Sequence, residues 1–197
     1  MTERQRYLDA LRAELDPNIV NHSLAVEACM GGIYDYLQAQ GQIGQEEPSR
    51  DEWVLAGLIH DVDYGGEFKE QHTRKTREAL AKHGLDIPDG VLRIVLAHAP
   101  ELTGVQPATK AQWAIFCVDS LTGLIVAVAL VYPSRKLADV KLSSVVKRFL
   151  KEPRFAAGTR RQEVAMCSRP DGLNIPLEKF IEICLNAMKG IAGDLGL

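Results

Sequence analysis

The stretch LAGLIHDVDYGG, Leu55 to Gly66, runs an apolar segment straight into His60, Asp61 and Asp63. An imidazole and two carboxylates directly after Leu58 and Ile59 fall where burial is expected. A buried charge is unfavourable unless it is paired or bound to a cation. Neutral imidazoles and carboxylates are ordinary ligands of divalent transition metals, and carboxylates also suit magnesium and manganese. Other positions repeat the pattern. His22 stands on an apolar stripe with Ile19, Val26, Cys29 and Ile33, and His98 shares a face with Val91, Ile94 and Val95. His72 lies on the face of Thr76 and Ala79, and Asp119 falls between Val118 and Leu121 in the most apolar part of the chain. Taken singly, each has a bland reading as a core histidine, a helix-end histidine or a solvated residue. Taken together, one metal centre explains several placements that are otherwise costly. His83, next to Gly84, is assigned to a helix end with no part in the site.

These side chains need helices to position them. DPNIVNHSLAVEACMGGIYDYLQAQG opens with Asp16 at an N-cap and Pro17 at the first helical position, and Gly41 closes it. Ser49 and Glu52 have capping-box spacing ahead of WVLAGLIHD. EFKEQHTRKTREALAKHG reads as one helix ending at Gly84, and PDGVLRIVLAHAP as a short helix stopped by Pro100. KAQWAIFCVDSLTGLIVAVALVYP is apolar nearly all round and stops at Pro133, as expected for a helix surrounded by others. Three weaker helical segments follow: KLSSVVKRFLK, TRRQEVAMCS and LEKFIEICLNAMKGIAGDL. No alternating strand pattern, repeat or low-complexity tract interrupts them. The expectation is an all-α bundle of roughly seven to nine helices forming a single domain over 1–197, with a motif-bearing core at about 17–133 and a helical extension at about 134–197.

Composition narrows the class. The chain has 46% hydrophobic and 25% charged residues and a net charge of −3, so no global basic field points to nucleic acid or an anionic membrane. The opening MTERQRYLDALRAELD is charged and carries no apolar signal core. The longest apolar run, Leu124 to Tyr132, is shorter than a bilayer span. Cys29, Cys117, Cys167 and Cys184 form no C-x-x-C pair and read as buried thiols of a cytoplasmic protein.

The order His22, His60-Asp61, Asp119 resembles the H…HD…D signature of the HD-domain metal-dependent phosphohydrolases, over about residues 22–119. The helical pattern beyond Asp119 is similar to that of small stand-alone prokaryotic HD proteins. The resemblance implies His22, His60, Asp61 and Asp119 as ligands of a divalent cation (Mn, Fe, Ni, Zn, Co or Mg). Some members hold a second ion with two further histidines, and His72 and His98 occupy that interval in the right order. Asp61 then bridges the two ions. The implied activity is hydrolysis of a nucleotide or another small phosphorylated metabolite by water activated at the metal.

On this reading His60, Asp61 and Asp63 are the catalytic candidates, with Asp63 orienting a ligand or water. The basic segment PSRKLADVKLSSVVKRFLKEPR follows the Asp119 helix directly, which makes Lys136 and Lys141 candidate phosphate contacts, and Thr122, one turn after Asp119, a third. The partner is the small phosphorylated substrate, with neither nucleic acid nor membrane expected and a homo-oligomer compatible with the sequence. Two other functions share the ligand order: an HD-fold di-iron oxygenase, and a non-catalytic HD domain that binds a nucleotide or a partner.

Overall fold

The computed structural model describes residues 2–197. Thr2 caps α1 (Glu3–Glu14), its hydroxyl accepting from the Gln5 N–H. α2 (Pro17–Ala39) starts with Pro17 at the first helical position, though the Asp16 side chain makes no capping bond, and Gly41 lies just beyond its end at φ +66. α3 (Arg50–Ile59) starts with the Ser49–Glu52 capping box that its spacing predicts. α7 (Lys110–Val131) opens with a second box, Thr109 with Gln112. Between them lie α4 (Thr76–Ala81), α5 (Asp89–Leu96) and α6 (Pro100–Thr103). α8 (Leu142–Lys151), α9 (Arg161–Ala165), α10 (Leu177–Gly190) and α11 (Ala192–Leu195) complete the chain.

The fold is all-α, with no strand among the described residues. The eleven α-helical segments among the described residues exceed the expected count because four of them have six residues or fewer. α2 is the hub and packs against α3, α10 and α7; α7 in turn packs against α5, α8 and α9. The shared core takes Val26, Ile33 and Leu37 from α2, Leu58 and Ile59 from α3, and Ile115, Leu121 and Ile125 from α7, all fully buried.

α7 is longer than its terminal apolar run suggests. By length and composition alone it would cross a membrane, yet most of its apolar stretch is buried against the other helices. Two glycines permit the close approaches that shape the site. A Cβ on Gly57 of α3 would lie 3.0 Å from Glu27 Cα and Met30 Cγ of α2. One on Gly65, in the turn after α3, would lie 2.2 Å from the Glu14 carbonyl oxygen at the end of α1.

The segment 67–84 departs from the expected single helix. A 3-10 helix at Gly66–Gln71 ends at His72, Thr73 adopts φ +71, and α4 begins only at Thr76. The cause is Asp63. Its buried carboxylate accepts from the backbone N–H groups of Thr73 (3.1 Å) and Lys75 (2.8 Å) and from His72 Nδ1 (2.8 Å). A charged acceptor with three donors outweighs the modest propensity of a few residues to continue a helix.

Candidate metal centre

Six side chains from five stretches of chain converge. His22 comes from the second turn of α2, and His60 and Asp61 from the end of α3. His72 comes from the break ahead of α4, His98 from just past α5, and Asp119 from the middle of α7. His22 Nε2 lies 3.1 Å from His60 Nε2, 3.0 Å from Asp119 Oδ1 and 3.6 Å from Asp61 Oδ2. His60 Nε2 lies 3.4 Å from Asp61 Oδ2 and 3.8 Å from Asp119 Oδ1. On the other side of Asp61, Oδ1 lies 3.4 Å from His72 Nε2 and 3.7 Å from His98 Nε2, and these two nitrogens are 3.3 Å apart. Asp61 therefore turns one oxygen to each histidine pair.

The second nitrogen of every ring is already engaged. His60 Nδ1 donates to the Gly57 carbonyl (2.9 Å), and His98 Nδ1 to that of Val95 (2.6 Å). His72 Nδ1 donates to Asp63. Thr122 gives its hydroxyl hydrogen to the Asp119 carbonyl (2.8 Å), so its oxygen accepts from His22 Nδ1 (3.1 Å). With each proton on Nδ1, the four Nε2 lone pairs face inward in two opposed pairs. Two such lone pairs about 3 Å apart repel unless a proton or a cation lies between them. Metal–nitrogen and metal–oxygen bonds of roughly 2.0–2.2 Å bring neighbouring ligand atoms to about that separation. The donor set, nitrogen and oxygen only, fits divalent transition metals. His22, His60 and Asp61 form one group with metal-binding spacing, and Asp61, His72 and His98 form another.

Electrostatics agrees with cationic demand. Burial and then the neighbouring His22 and His98 hold His60 down, to about 4, although Asp61 pulls the other way. Burial opposes protonation of His22 and His72 as well. There the hydrogen-bonded carboxylates, Asp119 and Asp63, prevail and both are raised. Asp61 and Asp119 resist burial and stay below the usual carboxylate range because imidazoles surround them. The carboxylates thus remain charged, as a cation site requires.

The other expected site residues fall in different places. Asp63 is fully buried, with both oxygens engaged on His72, Thr73 and Lys75, an arrangement that matches the orienting role expected of it. Thr122 is 1% exposed and its hydroxyl holds His22, which removes it as a phosphate contact. Lys136 and Lys141 are exposed at the far end of α7. The helix continues from Asp119 to Val131, a rise of about 18 Å at 1.5 Å per residue, and the Lys141 N–H donates to Tyr132 Oη just past that end. His83 binds Glu14 (2.8 Å), outside the cluster.

The basic group that does reach is Arg160, which pairs with Asp119 Oδ2. It belongs to TRRQEVAMCS, whose weak helical pattern gave no sign of it; only the fold of the chain back onto α7 brings it there. Beside His22 and Asp119 opens a cleft of about 310 Å³, floored by Ser120 and Gly123 and walled by Ala156, Ala157, Gly158 and Thr159. Adjoining it through His22 and Gly123, a cavity of about 530 Å³ runs between α2 and α7 past Asn21, Ala25 and Val126.

Residues 19–122 match the family model described as HD domain. Comparisons with curated proteins and with solved structures return no match.

Proposed function

The chain belongs to the HD-domain family, within the superfamily of metal-dependent phosphohydrolases, and from that premise we propose that it hydrolyses a phosphoester of a small, nucleotide-like metabolite. The observation that carries the reading is the pair of opposed Nε2 lone pairs sharing the two oxygens of Asp61. On this reading His22, His60, Asp61 and Asp119 would hold one divalent cation, and Asp61, His72 and His98 would hold a second. Bound cations there supply charge neutralisation for phosphoryl oxygens and lower the pKa of water. The residues of the chain fix the donors in place, and the carboxylates stay ionised down to acidic pH. The cleft at His22 and Asp119 gives the substrate access, and the adjoining cavity gives room for its organic part. Four buried, unpaired cysteines support a reducing, cytoplasmic setting.

Metal analysis of the purified protein, followed by a phosphoester panel with the metal restored, tests this. One or two ions per chain are expected. Hydrolysis should stop with chelator and be lost in Asp61→Ala and His60→Ala. Oxygen-dependent turnover by an iron-loaded sample, with no phosphoester cleaved, would instead make the protein a di-iron oxygenase. Protein that stays metal-free after incubation with manganese, iron, nickel and zinc would remove the centre altogether.

A further inference from the structure

Asp119 has two carboxylate oxygens, and the candidate centre uses one. Oδ1 faces His22 and His60, while Oδ2 points away and lies 2.5 Å from Arg160 Nη2. Arg160 stands immediately before α9, outside the matched residues 19–122. Its remaining guanidinium nitrogens also meet carboxylates: Nη1 lies 3.2 Å from Glu101 Oε1, and Nε lies 2.9 Å from Glu163 Oε2. Its backbone N–H donates to Ser120 Oγ (3.2 Å), so one residue grips α7 at two successive positions.

We propose that Arg160 is a positioning residue of the metal centre. It holds Oδ2 so that Asp119 presents a single, fixed oxygen to the cation, and it balances part of the negative charge that Asp61 and Asp119 bring to a buried place. Without it, Asp119 is free to rotate about its last torsion and to offer either oxygen or both. A guanidinium suits the task because it is planar, always charged and directed, whereas an ammonium supplies charge without the fork. Glu101 accepts from Nη1, and the Glu163 carboxylate lies beside Nε. The segment after the matched domain therefore completes the centre and does not merely cover it. This inference rests on the metal reading given above.

The test uses the full-length chain, titrated with Mn²⁺ by calorimetry and with Co²⁺ by visible absorption, beside the thermal melting of the metal-free protein. Arg160→Ala is expected to weaken Mn²⁺ binding about tenfold to a hundredfold, the range found when a group supporting a ligand is removed. Its Co²⁺ spectrum should shift as Asp119 turns, and Arg160→Lys should recover part of the affinity. If Arg160→Ala does not fold, Arg160→Lys and Arg160→Gln carry the comparison. Variants that bind Mn²⁺ within about twofold of wild type and keep its Co²⁺ spectrum would overturn the inference, even with a lower melting temperature, and make Arg160 a staple between α9 and α7. Wild type that takes up neither ion would fail the metal reading itself, and this inference with it.

Discussion

Asp63 shows how one buried carboxylate builds a ligand. Its three donors come from consecutive parts of a broken helix, and the break is what aims His72 Nε2 at Asp61. Asp63→Ala leaves the buried Thr73 N–H and the part-buried donors of His72 and Lys75 without their partner, at about 1–3 kcal/mol for a fully buried group before relaxation. We expect a loss of at least about 2 kcal/mol by urea unfolding and a fall in bound metal from two ions toward one. Retention of both ions would show that His72 is held by something else. A pH dependence follows from the same rings. His22 and His72 have folded values raised above the ordinary 6.5. Protons therefore compete with the cation there until the pH passes those values, so Mn²⁺ affinity should rise from pH 6 to pH 8 with measurable proton release. In the metal-free protein these two imidazoles contribute stability that is present below pH 6.5 and lost as the pH climbs through their folded values. His60 acts in the opposite sense. Held at about 4 when folded, it adds stability as the pH rises toward 6.5. A Mn²⁺ affinity that is flat across the range would contradict the assigned protonation.

At the scale of elements, the relation of α2 to α3 sets the distance between His22 and His60. Gly57 allows that contact, and its carbonyl also fixes the His60 ring. Alanine is preferred over glycine within a helix by about 1 kcal/mol. Here the added Cβ meets the backbone of Glu27 at 3.0 Å, where no side-chain rotation brings relief. Gly57→Ala should therefore destabilise, by about 1–3 kcal/mol, and weaken metal binding as the two histidines part. A more stable variant with unchanged affinity would mean that α2 yields freely. The helices themselves were legible in the sequence because their caps and apolar stripes are local: Ser49 with Glu52, Pro17, and the faces holding His22 and His98. The His72 break was not, since nothing in the run EFKEQHTRKT announces that Asp63 will take its amides. Arg160 also escaped, because its place depends on the direction in which the chain leaves a long helix and returns to it. Nearness in sequence to Asp119 held for Thr122, one helical turn away, but says nothing once the chain has left α7.

For the whole molecule, the apolar core is expected to hold the fold whether or not the centre binds metal. The core runs from Tyr7 to Leu195. Chelation should leave the helical circular dichroism unchanged while lowering the melting temperature. Restoring Mn²⁺ at a hundred times its Kd should return about 2.7 kcal/mol, or roughly 5–10 °C for a chain of this size. Loss of helix on chelation would show that the ion organises the fold. α7 has a different consequence, one that belongs to the chain before it is folded. By length and composition its 22 residues are long and apolar enough to cross a bilayer. In the native protein most of its apolar stretch is covered by the other helices, whereas an unfolded chain exposes it. The expectation is that docking onto the core competes with partitioning into lipid. Refolding from urea should lose yield when lipid vesicles are present from the start, and lose none when they are added after folding is complete. Equal yields in the two orders of addition would mean that α7 is enclosed faster than a membrane can capture it.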